Sequence, residues 1–310
     1  MNRSTRYKRC RLRALAEARQ THELPGYTNL RDYHDGYYEC KHVSPYTKSA
    51  NDVDSKVLLL LQDWSSREWL LRHRSAVIQE KGHDPALATN RKLKALLFHH
   101  LDLQLSSTYG TNLFPHIKPG SLSATIPEVA LTRAALQYAL PQIACVRPKI
   151  VICFGLQTYN AIRRALGRPA YRLLRNAVQS SARWGSTVIA CQPHPGVYGE
   201  LGLRRHTGYG AEHYWRRMVR RWGLTANPSI EGMPKRLRLL CTPHVNRSTS
   251  SSPSTPEPTQ SDPRRVSLRP RALARDRRYL ALPPLVVEQA KAARSTARSA
   301  SSSSRCRSRI

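Results

Sequence analysis

The amino-acid sequence predicts an α/β protein: a three-layer α/β/α sandwich with a short central parallel sheet, followed by a disordered basic C-terminal tail. Three observations carry that prediction. Short aliphatic runs such as Val57-Leu58-Leu59-Leu60-Leu61 stop abruptly at polar residues, as strands buried on both faces of a parallel sheet do. These runs alternate with stretches of helical periodicity, the pattern of a sheet covered on both sides. From residue 227 onward the chain turns to Ser, Pro, Thr and Arg, as in "HVNRSTSSSPSTPEPTQSDP", a composition that buries too little apolar surface to order itself.

In chain order, residues 1 to about 24 read as a basic helix, and the next segment, "LPGYTNLRDYHDGYYECKHVSPYT", as an aromatic arm of no clear period that wraps the domain to cover its tyrosines. A strand over 56–61 leads into one helix over 67–80, and a second helix follows over 90–104. "YGTNLFPHIKPG" is a short strand broken by Pro115 and Pro119. Pro127 opens the next helix, where its missing N–H costs nothing. "KIVICFG" and "STVIACQ" are further buried strands; the helix "LQTYNAIRRALG" follows the first, and the second ends in "PHPG". "AEHYWRRMVRRWG" is the last ordered helix. The organisation is thus an N-terminal helix and arm (1–50), an α/β domain (51–226) and a low-complexity basic tail (227–310).

The 51 Lys and Arg outnumber the 20 Asp and Glu, giving a formal net charge of +31. Such an excess speaks about partners rather than fold, and points to polyanions, DNA (single- or double-stranded) before anionic membrane. No run approaches the roughly twenty apolar residues that span a bilayer, so no membrane partner is expected. The N-terminus is basic but lacks the apolar core of a secretory signal. The seven cysteines are odd in number and form no C-x-x-C pair, which argues against a disulfide framework or a zinc ribbon. A monomer in a reducing cytoplasm is expected, nucleoid-associated if bacterial.

Three strand ends carry polar residues: Gln62-Asp63 after the first, Asn112 in "TNLFP" and His194 in "QPHPG". Parallel strands end at one edge of the sheet, so these side chains are expected to share a cleft. A carboxylate can orient water or stabilise a developing cation, an amide can match a base edge, and a neutral imidazole N–H can bind an oxyanion. Each also has a plain structural reading. Gln62 and Asp63 suit a turn that caps the helix starting near Arg67, an Asn in a strand is ordinarily a hydrogen-bonder, and a His before Pro is ordinarily a turn residue.

The ordered set of segments "LLLLQDWSS", "GTNLFPHIKPG", "RPKIVICFGLQTYNAI" and "CQPHPGVYG" resembles the motifs of the uracil-DNA glycosylase superfamily over residues 56–220. The resemblance implies a water-activating carboxylate at Asp63 and an imidazole at His194 that stabilises the departing base anion. It implies base contacts from Gln62 and Asn112, with Trp64 a substitute for the family's stacking phenylalanine. Gly196, Val197 and Tyr198 correspond to a loop inserted in the minor groove, where an apolar or aromatic wedge offsets lost stacking. The chain departs from the family at Leu61 (glycine), Ser65 (tyrosine) and Gly196 (serine). His116 stands where the iron–sulfur branch has a cysteine, and neither a cluster nor any other metal or cofactor is expected. The resemblance implies a monofunctional glycosylase acting on uracil or a related damaged base, with no lysine placed as an amine nucleophile. The alternative is a noncatalytic DNA-binding protein that keeps the fold.

Overall fold

The computed structural model describes residues 2–224. The low-complexity tail, with the disorder and phosphate affinity expected of it, lies outside the described residues.

The chain opens with α1 (Arg3–Thr21), capped by Asn2, whose side chain accepts from the Thr5 N–H. Its apolar members Leu12 and Ala16 join the main core, and Lys8 reaches the Val53 and Val146 carbonyls and Asp54. Arg19, with no exposed surface, pairs with Glu39 and ties the helix to the arm. The arm's Tyr33 and Tyr38 are buried with Leu30, Leu70, Ile78 and Ile117, which is where its aromatics go. The N-terminal fifty residues therefore share the domain's cores.

β1 (Val57–Asp63) is the central strand of the predicted type. Leu58 and Leu60 enter the core on one face of the sheet, Leu59 and Leu61 the core on the other. This period-2 alternation, apolar on both sides, explains the unbroken aliphatic run. The helix expected over 67–80 is two, α2 (Arg67–Arg72) and α3 (Ala76–Lys81). His73 and Ser75 between them are extended, and the Ser75 side chain caps α3. This is the competition that Ser offers to helix interiors. Then come α4 (Ala88–Leu101) and β2 (Tyr109–Phe114).

α5 (Glu128–Ala134) and α6 (Leu140–Val146) are joined by a π turn, Ala135–Ala139, just before Pro141 at the start of α6. A wider turn there is a natural accommodation of a proline that cannot donate. β3 (Ile150–Phe154) and α7 (Leu156–Ala165) follow, then the short α8 (Leu174–Ala177). β4 (Ser181–Trp184) and β5 (Thr187–Gln192) form a hairpin across Gly185-Ser186, with Gly185 at φ +57°. β4 is an addition to the expected sheet. Past β5 lie α9 (Val197–Thr207) and α10 (Ala211–Trp222).

The five strands lie in the order β2-β1-β3-β5-β4, all pairs parallel except β4–β5. One face is covered by α1, α6, α7 and their neighbours, the other by α4 and α10. This mixed α/β sheet flanked by helices is compatible with the three-layer arrangement. The order turns back between β1 and β3, and open α/β sheets bind ligands outside the carboxyl ends of the strands at such a reversal. No helix among the described residues is long and apolar enough to cross a membrane.

Candidate active site

Asp63 ends β1 at that reversal. Its Oδ2 lies 2.9 Å from the ammonium of Lys118, which is almost fully buried and also donates to the Leu122 carbonyl at 2.6 Å. Gln62 Nε2 donates to Asp63 Oδ1 at 3.2 Å. The carboxylate is thus held from two sides. The segments carrying the ion pair are themselves stitched together, Ser66 bridging to Lys118 and the Arg67 N–H donating to the Lys118 carbonyl.

Across the rim, His194 follows β5, two strands from β1 and therefore roughly 10 Å away along the sheet. The Gly196 N–H donates to His194 Nδ1 at 3.1 Å. With Nδ1 accepting, the neutral ring carries its proton on Nε2, the nitrogen left free to donate. The residue keeps an exposed edge, yet protein atoms crowd the ring enough that desolvation lowers its pKa, and Asp63 opposes that shift.

Two glycines make this arrangement possible. A Cβ on Gly199 would stand 2.3 Å from the His194 carbonyl oxygen, so the first turn of α9 can approach that backbone only without a side chain. A Cβ on Gly196 would stand 2.9 Å from His194 Nδ1 and 3.1 Å from Thr89 Oγ1. The glycine at this position thus makes room for the ring. Gly196 caps α9, and Val197 begins a helix where a groove-inserting loop was expected. The wedge role expected of Val197 and Tyr198 lies outside what is described of those side chains.

Asn112 is opposite Leu61 in the β1–β2 register, two residues short of Asp63's level. It is buried, and its Oδ1 accepts from the Ser44 hydroxyl at 2.5 Å. Strand geometry puts it roughly 8 Å from Asp63, beneath the rim rather than on it. Trp64 turns away from the imidazole. Its indole donates to the Gly82 carbonyl at 2.8 Å and packs edge-on to Tyr38 in the arm's core.

Sequence reading missed Lys118, Ser44, Tyr46 and His83. Tyr46 and His83 are buried ring against ring (centroids 5.1 Å apart), and neither the Tyr46 hydroxyl nor His83 Nε2 has a hydrogen-bond partner among the described residues. Tyr46 also lines Gly110, one position along the face that carries Asn112. Only Ser44 left a local signal: Ser-Pro at the start of a turn, where it caps Pro45–Lys48. His116 is buried beside His22 and donates through Nδ1 to Asn29 Oδ1 at 3.2 Å. Among the described residues no group of three or more His, Cys, Asp or Glu is placed to hold a metal.

Fold and rim together define a mostly parallel α/β protein with a carboxylate and an imidazole at the carboxyl edge of its sheet. No protein-family model matches the chain. No curated protein matches it at a significant level.

Proposed function

We propose that the chain is a monofunctional DNA glycosylase that hydrolyses the N-glycosidic bond of uracil or a related damaged base. The observation that carries this reading is His194, held by the Gly196 N–H in the tautomer that presents Nε2–H, at the same strand-end edge of the sheet as the Asp63 carboxylate. That pair suits a bond whose breaking makes one fragment cationic and the other anionic. Nε2–H donates to the carbonyl oxygen of the leaving base as negative charge gathers there, and Asp63 faces the sugar. Water oriented by Asp63 adds to the anomeric carbon as the carbon–nitrogen bond breaks. Its proton passes to the carboxylate and from there to solvent, the departing base anion takes up a proton from solvent, and the products are the free base and an abasic sugar.

On this reading an extruded base is received at the rim beside Asp63 and His194, and Asn112, buried below and bonded to Ser44, reads its edge. Lys118 fixes the carboxylate's direction, which suits Asp63 to orienting the water. The same ion pair favours a second reading, a noncatalytic DNA-binding protein in which Asp63 is a structural counter-ion. Incubation with a uracil-containing single-stranded oligonucleotide, followed by alkali, separates the two. Scission at uracil with none at a thymine control is expected of the enzyme; no scission is expected of the binding protein.

A further inference from the structure

The outer face of α10 is not used by the candidate site. Its inner face is spent on the core: Tyr214, Trp215, Met218 and Val219 are buried. Arg216, Arg217, Arg220 and Arg221 are exposed and form two pairs one helical turn apart, about 6 Å. An ordinary solvated face mixes signs. Here the one acid, Glu212, sits at the start of the helix against His100, and among the described residues none of the four arginines has a carboxylate partner.

Aromatic rings stand at both ends of this ridge. At one end the half-exposed Tyr209 stacks on His213, with centroids 4.2 Å apart and planes 18° from parallel. At the other, the guanidiniums of Arg183 and Arg221 each lie 5.2 Å from the ring centroid of the half-buried Trp222. Alternation of guanidinium groups with partly exposed aromatic rings is the chemistry that holds a single nucleic-acid strand, phosphates on the charges and bases on the rings. A basic amphipathic helix can instead lie on an anionic bilayer, but only by inserting its apolar face, and that face is buried here.

We infer that the ridge from Tyr209 to Trp222 is a second binding site, a track for single-stranded DNA that is separate from the carboxylate–imidazole edge. The track itself stands on the ridge geometry; the choice of DNA over RNA rests on the glycosylase reading.

The test uses the full chain and a fluorescent oligothymidylate, with affinity followed against salt. Replacing all four arginines by Gln is expected to flatten the logarithmic salt slope by about 2 to 3, since each neutralised phosphate on a single strand contributes about 0.7. Replacing all four by Lys is expected to keep the slope, which separates lost charge from lost fold. Tyr209→Ala is expected to weaken oligothymidylate about tenfold while leaving an abasic deoxyribose-phosphate polymer unaffected. An unchanged slope in the Gln variant overturns the track, as does equal loss in the Lys variant. Loss in the Gln variant of binding to anionic phosphatidylserine vesicles rather than to the strand overturns it too, and tighter binding of oligouridylate overturns the assignment to DNA. The two readings fail separately. Absence of base release by the parent protein removes the glycosylase and not the track, whereas an unchanged slope removes the track whether or not base is released.

Discussion

Acid is expected to loosen the joint between the arm and the domain through His116. Its ring is 2% exposed, its Nε2 has no partner among the described residues, and burial pushes its pKa down to about 4, aided by the nearby His22 and Arg19. In the unfolded chain the same imidazole titrates at its ordinary value of 6.5. As pH falls below 6.5 the unfolded chain takes up a proton that the folded one refuses, so stability is lost until the folded pKa is reached. The difference amounts to about 3 kcal/mol, lost between about pH 6.5 and 4. His116→Phe keeps a ring among Phe114 and Tyr138 and removes the titration. At pH 7.5 it gives up only the bond to Asn29, about 1 kcal/mol. The two stability curves should therefore cross, the parent being the more stable near neutrality and the variant near pH 4. Urea unfolding of both proteins across that range measures the difference, in which other titrating groups cancel. Parallel curves would refute the reasoning, because they would mean that His116 takes up its proton equally in both states.

Gly199→Ala, which would place Cβ 2.3 Å from the His194 carbonyl, is expected to cost about 1–3 kcal/mol in thermal unfolding. Gly196→Ala is expected to displace the imidazole instead, slowing single-turnover excision about tenfold and changing the tautomer seen by nitrogen NMR. Lys118→Met strands a largely buried carboxylate and should destabilise the fold by about 3 kcal/mol, with excision falling as well. Because the Lys118 amine is engaged by both Asp63 and the Leu122 carbonyl, borohydride should trap no covalent adduct with DNA, and an adduct would identify a nucleophile.

What the sequence shows of this protein follows from periodicity. β1, β3 and β5 are legible because a strand buried on both faces needs an unbroken apolar run, and each has one. β4 is not, since an edge strand reading Ser-Ala-Arg-Trp has no such run; the two-residue Gly185-Ser186 turn between it and β5 was its only mark. The break between α2 and α3 and the helix after Gly196 were hidden for a related reason: local residues decide them, not a long pattern. The site divides in the same way. Asp63 ends β1 and His194 lies just past β5, positions that a parallel topology puts at one edge of the sheet. Lys118 meets Asp63, and Ser44 meets Asn112, only through tertiary packing between segments 55 and 68 residues apart, which no local pattern reports.

On the proposed mechanism, Asp63 and His194 act on charge that exists only in the transition state. Single-turnover release of uracil and equilibrium binding, measured on the same oligonucleotide for the parent, Asp63→Asn and His194→Ala, test it most directly. Loss of one oxyanion donor typically slows a reaction by about a hundred- to a thousandfold, and a loss of that order is expected from His194→Ala, with binding nearly unchanged. Asp63→Asn should likewise lose rate far more than affinity. Excision by Asp63→Asn at the parental rate, or equal losses of rate and binding in both variants, would contradict the account.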